Sequence, residues 1–270
     1  MPLTFNGNTP AAVTYNGNPV SEVTYNGVTV WSAAAPAPTE FYIAPDTSAG
    51  LEQKFSFTQS SANAITIDWG DGSQTESPSI LSGTVTHNYA AYDSYVITVA
   101  CASGETWTLA SQITSTDFLY SNLSKIVFGD GCVGTADYAM MGASVLQTVE
   151  FASSSFQTFG NNSFEGCTNL GSITIPDNIA SIPGYCFRSC SILDDVIIGS
   201  GVASLGAYAF NGCSNLFSLT IKATTPPTVG SRALYNVPND CDIYVPSSAV
   251  ATYQAASGWS SRAAYIQAIP

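Results

Sequence analysis

Hydrophobic positions in residues 111–270 recur with a long, regular period. Phe164, Phe187 and Phe210 each stand three residues ahead of a cysteine (Cys167, Cys190 and Cys213), at steps of 23. Short alternating runs end at Phe128, Phe151, Ile175, Ile198, Ile221 and Val245, at steps of 23, 24, 23, 23 and 24. Each unit reads as a strand, a turn, an apolar arc ending in Phe-x-x-Cys, and an Asn-Leu pair or its equivalent before the next strand. Asn169-Leu170 and Asn215-Leu216 show that last element best. One such unit cannot bury its apolar side, whereas stacked units share a continuous core. The pattern therefore predicts a solenoid over 111–270 whose strands align into a parallel sheet. From about residue 224 the chain reads as a closing unit, with a short capping helix over 247–257.

Two other patterns precede the solenoid. Residues 40–110 alternate apolar and polar positions over 51–57, 64–69, 84–89 and 95–100, with turn formers between, which predicts a β-sandwich. Residues 1–31 repeat Thr-(Phe/Tyr)-Asn-Gly three times at a spacing of ten. Asn-Gly between β-formers signals a tight hairpin, because both central residues of its turn take positive φ. The hairpin residues Tyr15, Asn16, Gly17, Tyr25, Asn26, Gly27 and Trp31 are expected to form a small attachment segment, since a piece this short needs something larger to dock on. Residues 32–39, rich in Ala and Pro, read as a semi-stiff linker. The whole is expected to be mainly β.

Leu170-Gly-Ser-Ile173-Thr-Ile175-Pro176 and Leu205-Gly206-Ala207-Tyr208-Ala209-Phe210 resemble the BspA-type leucine-rich repeat. Repeats before residue 150 depart from it, with Ala139-Met140-Met141 where Ala-Phe is expected. Ile67-Asp68-Trp69-Gly70-Asp71-Gly72 and His87-Asn88-Tyr89 with Tyr95-Val96-Ile97-Thr98-Val99 resemble the paired motifs of PKD domains, departing at residues 91–94. That resemblance implies an Ig-like spacer or adhesion module. The opening Val23-Thr-Tyr-Asn-Gly27 with Val30-Trp31 resembles the N-termini of phage virion proteins.

Composition narrows the function classes. Only 9% of the 270 residues are charged, and the net charge is −13 with six basic residues, too few to neutralise a phosphate backbone. Nucleic acid is excluded as a partner on that ground. No run is apolar enough for a membrane span. The first basic residue is Lys54, so no basic-apolar leader of the Sec type is read at the opening. Seven cysteines, an odd number outside any disulfide framework, read as small core residues.

Chemistry is sparse. His87, the chain's one histidine, falls in the PKD-like motif, where a structural hydrogen bond is expected. Cys186 and Cys190 are four apart, but the repeat register places both in the core, and metal sites need further ligands. Asp68 and Asp71, with Ser73, are an oxygen set of the kind Ca²⁺ takes, although Asp and Gly also favour turns by themselves. Asp194 and Asp195 are adjacent, so on a strand they point to opposite faces and do not form a carboxylate pair. No catalytic residue, metal or other cofactor is assigned.

The remaining candidate is a surface. With Ile173, Ile175, Leu219 and Ile221 inward, the outward row is Thr148, Glu150, Ser172, Thr174, Asp195, Ile197, Ser218, Thr220, Asp242 and Tyr244. Such faces bind ligands in repeat proteins, and they are also simply solvated. These features lead to a non-enzymatic, phage virion-associated protein, a head fibre, capsid decoration or tail adhesin at the virion surface. Its N-terminal segment would hold other virion proteins and its repeats a host glycan or protein, with a homo-oligomer open. The alternative is a BspA-like adhesin of the bacterial cell surface.

Overall fold

The structure, a computed structural model, describes residues 13–15, 18–20, 22–25, 28–32, 37–44, 51–110 and 122–270. The chain divides into two compact units, Met1–Pro36 and Ala37–Pro270. In the first, β1 (Val13–Tyr15) pairs antiparallel with β2 (Asn18–Val20), and β3 (Glu22–Tyr25) with β4 (Val28–Ser32). Tyr15 lies opposite Asn18 and Tyr25 opposite Val28. The turn residues Asn16, Gly17, Asn26 and Gly27 lie outside the described residues.

The second unit opens with β5 (Thr39–Ile43), β6 (Glu52–Gln59), β7 (Ile65–Asp68), β8 (Ser82–Asn88), β9 (Tyr95–Cys101) and β10 (Trp107–Leu109). Next come β11 (Leu123–Phe128), β12 (Cys132–Thr135) and β13 (Thr148–Phe151). One sheet runs β13-β11-β5-β9-β7 and another β12-β10-β6-β8. Phe41, Phe57, Ile65, Ile67, Val99 and Leu109 are buried, so the period-two alternation supplies the core.

Both sheets pass from the first strands into the repeat region. β5 pairs antiparallel with β9 on one side and with β11 on the other, while β10 pairs parallel with β12. The sequence boundary at 110/111 is thus crossed by two ladders. Thr39, placed in the linker by composition, is fully buried at the start of β5, where its Oγ1 accepts a hydrogen bond from the Gly129 N–H at 3.0 Å. The reason is physical: the open apolar end of a solenoid needs a cap, and strands β5 and β10 supply one by continuing its ladders.

The remaining coils stack in register. β14 (Ser172–Ile175), β16 (Asp195–Ile198), β18 (Ser218–Ile221), β20 (Asp242–Val245) and β21 (Ile266–Ala268) form a parallel sheet, and β15 (Ser181–Ile182), β17 (Ser204–Leu205) and β19 (Thr228–Val229) a smaller one. Between them runs a column of rings, with Phe164 to Phe187 at 5.6 Å and Phe187 to Phe210 at 5.3 Å, both nearly parallel. Met140 is buried at the same position one coil earlier and keeps the register, its N–H bonded to Ser163 O at 2.7 Å. An adaptable thioether fills the place of the ring.

The cysteines form a second column. The thiols of Cys167, Cys190 and Cys213 point to Met140 O, Phe164 O and Phe187 O at 3.2–3.3 Å. Cys186 is buried beside Ser163 Oγ at 3.4 Å, in the core position the repeat register assigns to it. All seven cysteines are free thiols.

The C-terminal end is closed by α1 (Val250–Ala255), within the span read as a capping helix, flanked by 3₁₀ turns at Ser247–Ala249 and Ser260–Tyr265. The buried Tyr253 hydroxyl donates to Ala223 O and Trp259 Nε1 to Pro227 O, both at 2.8 Å. Arg262, also buried, donates to Val237 O at 3.0 Å. These bonds satisfy carbonyls that the array leaves without a following coil. β21, absent from the sequence reading, adds one more strand to the sheet.

Candidate functional site

The outward row forms on one face. Ser172, Asp195, Ser218 and Asp242 stand side by side in the ladder, as do Thr174, Ile197, Thr220 and Tyr244. Every one of them is exposed or half-buried, and the alternate positions Ile173, Val196, Leu219 and Ile243 are buried. Much of the row is engaged with itself. Ser218 Oγ donates to Asp195, Gln267 Nε2 donates to Asp242 Oδ1 at 2.9 Å, and the Tyr244 hydroxyl lies 3.4 Å from the Asp242 carboxylate. Partial burial and then the Asp242 charge raise the Tyr244 pKa, because both disfavour a phenolate.

Thr148 and Glu150 belong to the other sheet. On β11, Lys125 pairs with Thr148 and Val127 with Glu150; on β5, Tyr42 and Glu40 continue the same two rows. Lys125 Nζ lies 2.9 Å from Glu150 Oε1 and 5.3 Å from the centre of the Tyr42 ring. The Tyr42 hydroxyl donates to Glu40 Oε2 at 2.6 Å. Hydrogen bonding to Glu150 raises the Lys125 pKa, and that to Glu40 raises the Tyr42 pKa. Glu40, Tyr42 and Lys125 were not in the sequence-derived row. Lys125 follows a register shift in β11, and Tyr42 meets it only through pairing of segments more than 80 residues apart. The alternation of Ile126 and Phe128 with Lys125 and Val127 is the signal that was available for the β11 pair.

The face has one interruption. β13 and β14 follow each other along the solenoid but belong to different sheets. Between them lies an open groove of about 530 Å³, lined by Thr148, Glu150, Phe151, Ser172, Thr174 and Pro176 among others. Phe151 contacts Phe128, Phe156 and Phe159, ring centres 4.8–5.8 Å apart, so an aromatic cluster lies where the sheets part. The groove joins hydroxyls and one carboxylate to an apolar floor, a combination that orients and buries a ligand.

The other candidates have structural partners. Asp68 Oδ1 accepts the Gly70 N–H at 2.9 Å, and Asp71 Oδ1 accepts the Ser73 N–H at 3.0 Å. Asp71 Oδ2 lies 2.8 Å from His87 Nε2, and the His87 ring stacks on Trp69 at 4.8 Å. Bonding from Ser73, then His87, lowers the Asp71 pKa to about 2. Turn bonding thus takes an oxygen from each carboxylate. Among the described residues no group of three or more His, Cys, Asp or Glu is placed to hold a metal. The Asp195 carboxylate turns to Ser218, while Asp194 is exposed.

The sequence pattern of the BspA type Leucine rich repeat region matches in six copies over residues 111–239 and 181–256, together more than half of the chain. The chain belongs to the BspA type leucine-rich repeat family. Among solved structures, this BspA type chain is similar to a leucine-rich repeat protein from Bacteroides ovatus ATCC 8483, with 20% identity and a TM-score of 0.34. The similarity covers 45% of this chain and 37% of that one, so the match spans little more than a third of that protein. No curated protein sequence matches. Among the described residues, no helix is long and apolar enough to cross a membrane.

Proposed function

We propose that this BspA type protein is a non-catalytic recognition protein that uses the outward face of its sheets to bind a glycan or protein on a cell surface. The observation that carries this reading is the groove between β13 and β14, which interrupts a polar face with an apolar floor. The sandwich-like strands of residues 37–110 serve as the spacer and cap, in keeping with their PKD-like motifs. The test is binding of labelled full-length chain to bacterial cells. Thr174→Arg, which fills the groove from an exposed position, is expected to abolish binding with the thermal midpoint unchanged. Unchanged binding removes this face as the site.

Two carriers fit such a protein. The bacterial cell surface is favoured by the repeat family, whose surface-adhesin style the solenoid shares. A phage particle is favoured by the strand pairs around the Asn-Gly repeats of the first unit, which suit attachment to other virion proteins, including copies of this chain. Density-gradient sedimentation with purified phage, read by peptide mass spectrometry, separates them. Stoichiometric banding with particles supports the virion, and recovery on washed cells alone supports the adhesin.

A further inference from the structure

Each coil of the solenoid has two turn positions at positive φ. One column, Gly142, Gly166, Ser189, Gly212 and Asn236, is mostly glycine, as that backbone region favours. The other, Tyr138, Asn162, Tyr185, Tyr208 and Arg232, contains no glycine, although its φ values lie between 55° and 62°. Bulky residues there are strained, and such strain persists where a side chain is used. The backbone alone would be better served by glycine or asparagine, so the reason for tyrosine and arginine lies in their side chains.

The Tyr185 and Tyr208 rings stack at 4.8 Å with planes 6° apart. Neither hydroxyl has a partner among the described residues. The Arg232 guanidinium lies 5.8 Å from the centre of Tyr208 and 5.6 Å from that of Tyr235. Arg188 sits over Tyr185 but is neutralised by Glu165 at 2.9 Å. Arg232 is exposed and joins no ion pair among the described residues. In a chain of net charge −13, a cation fixed between two rings and left without a carboxylate is a receptor ordered before its anion arrives.

The spacing selects the ligand. An extended peptide returns a side chain to the same face only every ~6.6 Å, out of step with rungs of ~4.8 Å. A pyranose residue is about as long as one rung and carries hydroxyls around its whole ring, so each successive sugar can meet one phenol whichever way the chain turns. We propose that the Tyr185–Tyr208–Arg232 strip binds an extended glycan containing uronic acid. The phenol hydroxyls would bond successive sugars, and Arg232 would take a carboxylate in a bidentate pair. The strip lies on the turns and is independent of the sheet-face reading.

The test measures binding of the full-length chain to polygalacturonate and alginate oligosaccharides, to methyl-esterified polygalacturonate and to poly-glutamate. Physiological ionic strength is used, where screening confines the chain's own acidic charge to ~8 Å. At least one of the two uronates is expected to bind, and poly-glutamate and the ester roughly ten-fold more weakly or not at all. Tyr208→Asn and Arg232→Asn, both compatible with a column that already holds Asn162, are each expected to weaken uronate binding by roughly ten-fold or more. Their thermal midpoints should stay near wild type, and Thr174→Arg should leave uronate binding intact. Absence of binding to both uronates, equal binding of poly-glutamate, or unchanged binding in both strip variants overturns the proposal. Loss in Thr174→Arg with the strip variants intact does the same, assigning the sugar to the sheet face.

Discussion

The ring of Phe187 lies 5.3 Å from that of Phe210, with planes 12° apart, although the two residues are separated by a whole coil. Phe164 stacks on its other side at 5.6 Å. Phe187 is fully buried, so its removal opens a cavity flanked by rings that stacking holds in place. Phe187→Ala is expected to cost about 3–5 kcal/mol. Phe217, at 70% exposure, is the control, and Phe217→Ala should stay within about 0.5 kcal/mol. Urea titration followed by circular dichroism measures both.

Two glycines in one repeat are needed for different reasons. Gly206 has an ordinary φ, but a Cβ there would sit 2.5 Å from the backbone of Gly184 and Pro183 in the adjacent coil. Gly212 has φ +80°, and the added atom would meet Ser189 in the adjacent coil only at ordinary contact distance, 3.6 Å. Gly206→Ala should therefore force coils apart and cost about 1–3 kcal/mol. Gly212→Ala should meet only the left-handed backbone penalty, about 1 kcal/mol. Gly212→Asn, which tolerates that region, should recover part of the loss in the same assay, whereas Gly206→Asn should not.

Acid should weaken the first strands through Asp71. Its folded-state pKa of about 2 is depressed by Ser73 and His87, below the ordinary ~3.9 of an unfolded aspartate. That contribution is complete above the unfolded value and is lost as pH falls through about 2. Thermal midpoints of wild type and Asp71→Asn should differ at neutral pH and converge between pH 4 and 2. A constant difference across that window would show that Asp71 acts through packing alone.

Thiol reactivity tests the cysteine column. Burial pushes Cys186 and Cys213 up to about 12 and raises Cys167 and Cys190 as well. Cys132 is likewise pushed to about 12 and Cys241 to about 11. A thiol must ionise to react, so these six should be silent toward Ellman's reagent in the folded chain. Only Cys101 is half-buried, and its slow reaction is the expected native signal. All seven should react in denaturant. Rapid native reaction of more than one would contradict the stacked core.

The sequence was legible where one residue type meets its own copy in the next coil. Phe164, Phe187 and Phe210 reveal the period because stacked coils demand the same volume at the same place. The polar row from Ser172 to Tyr244 could be read for the same reason, since strand alternation sends one set inward and the other out. Met140 hid its repeat only until its buried place beside that column was known. By itself, then, the sequence determined the solenoid, its inward and outward positions and its capping helix. The tertiary structure alone decided that β5 and β10 close the solenoid's other end, that Glu40, Tyr42 and Lys125 extend the outward face, and that the ladder parts between β13 and β14. These are pairings between segments distant along the chain. No local period encodes them, because they depend on which edge strand finds which partner once each sheet has formed.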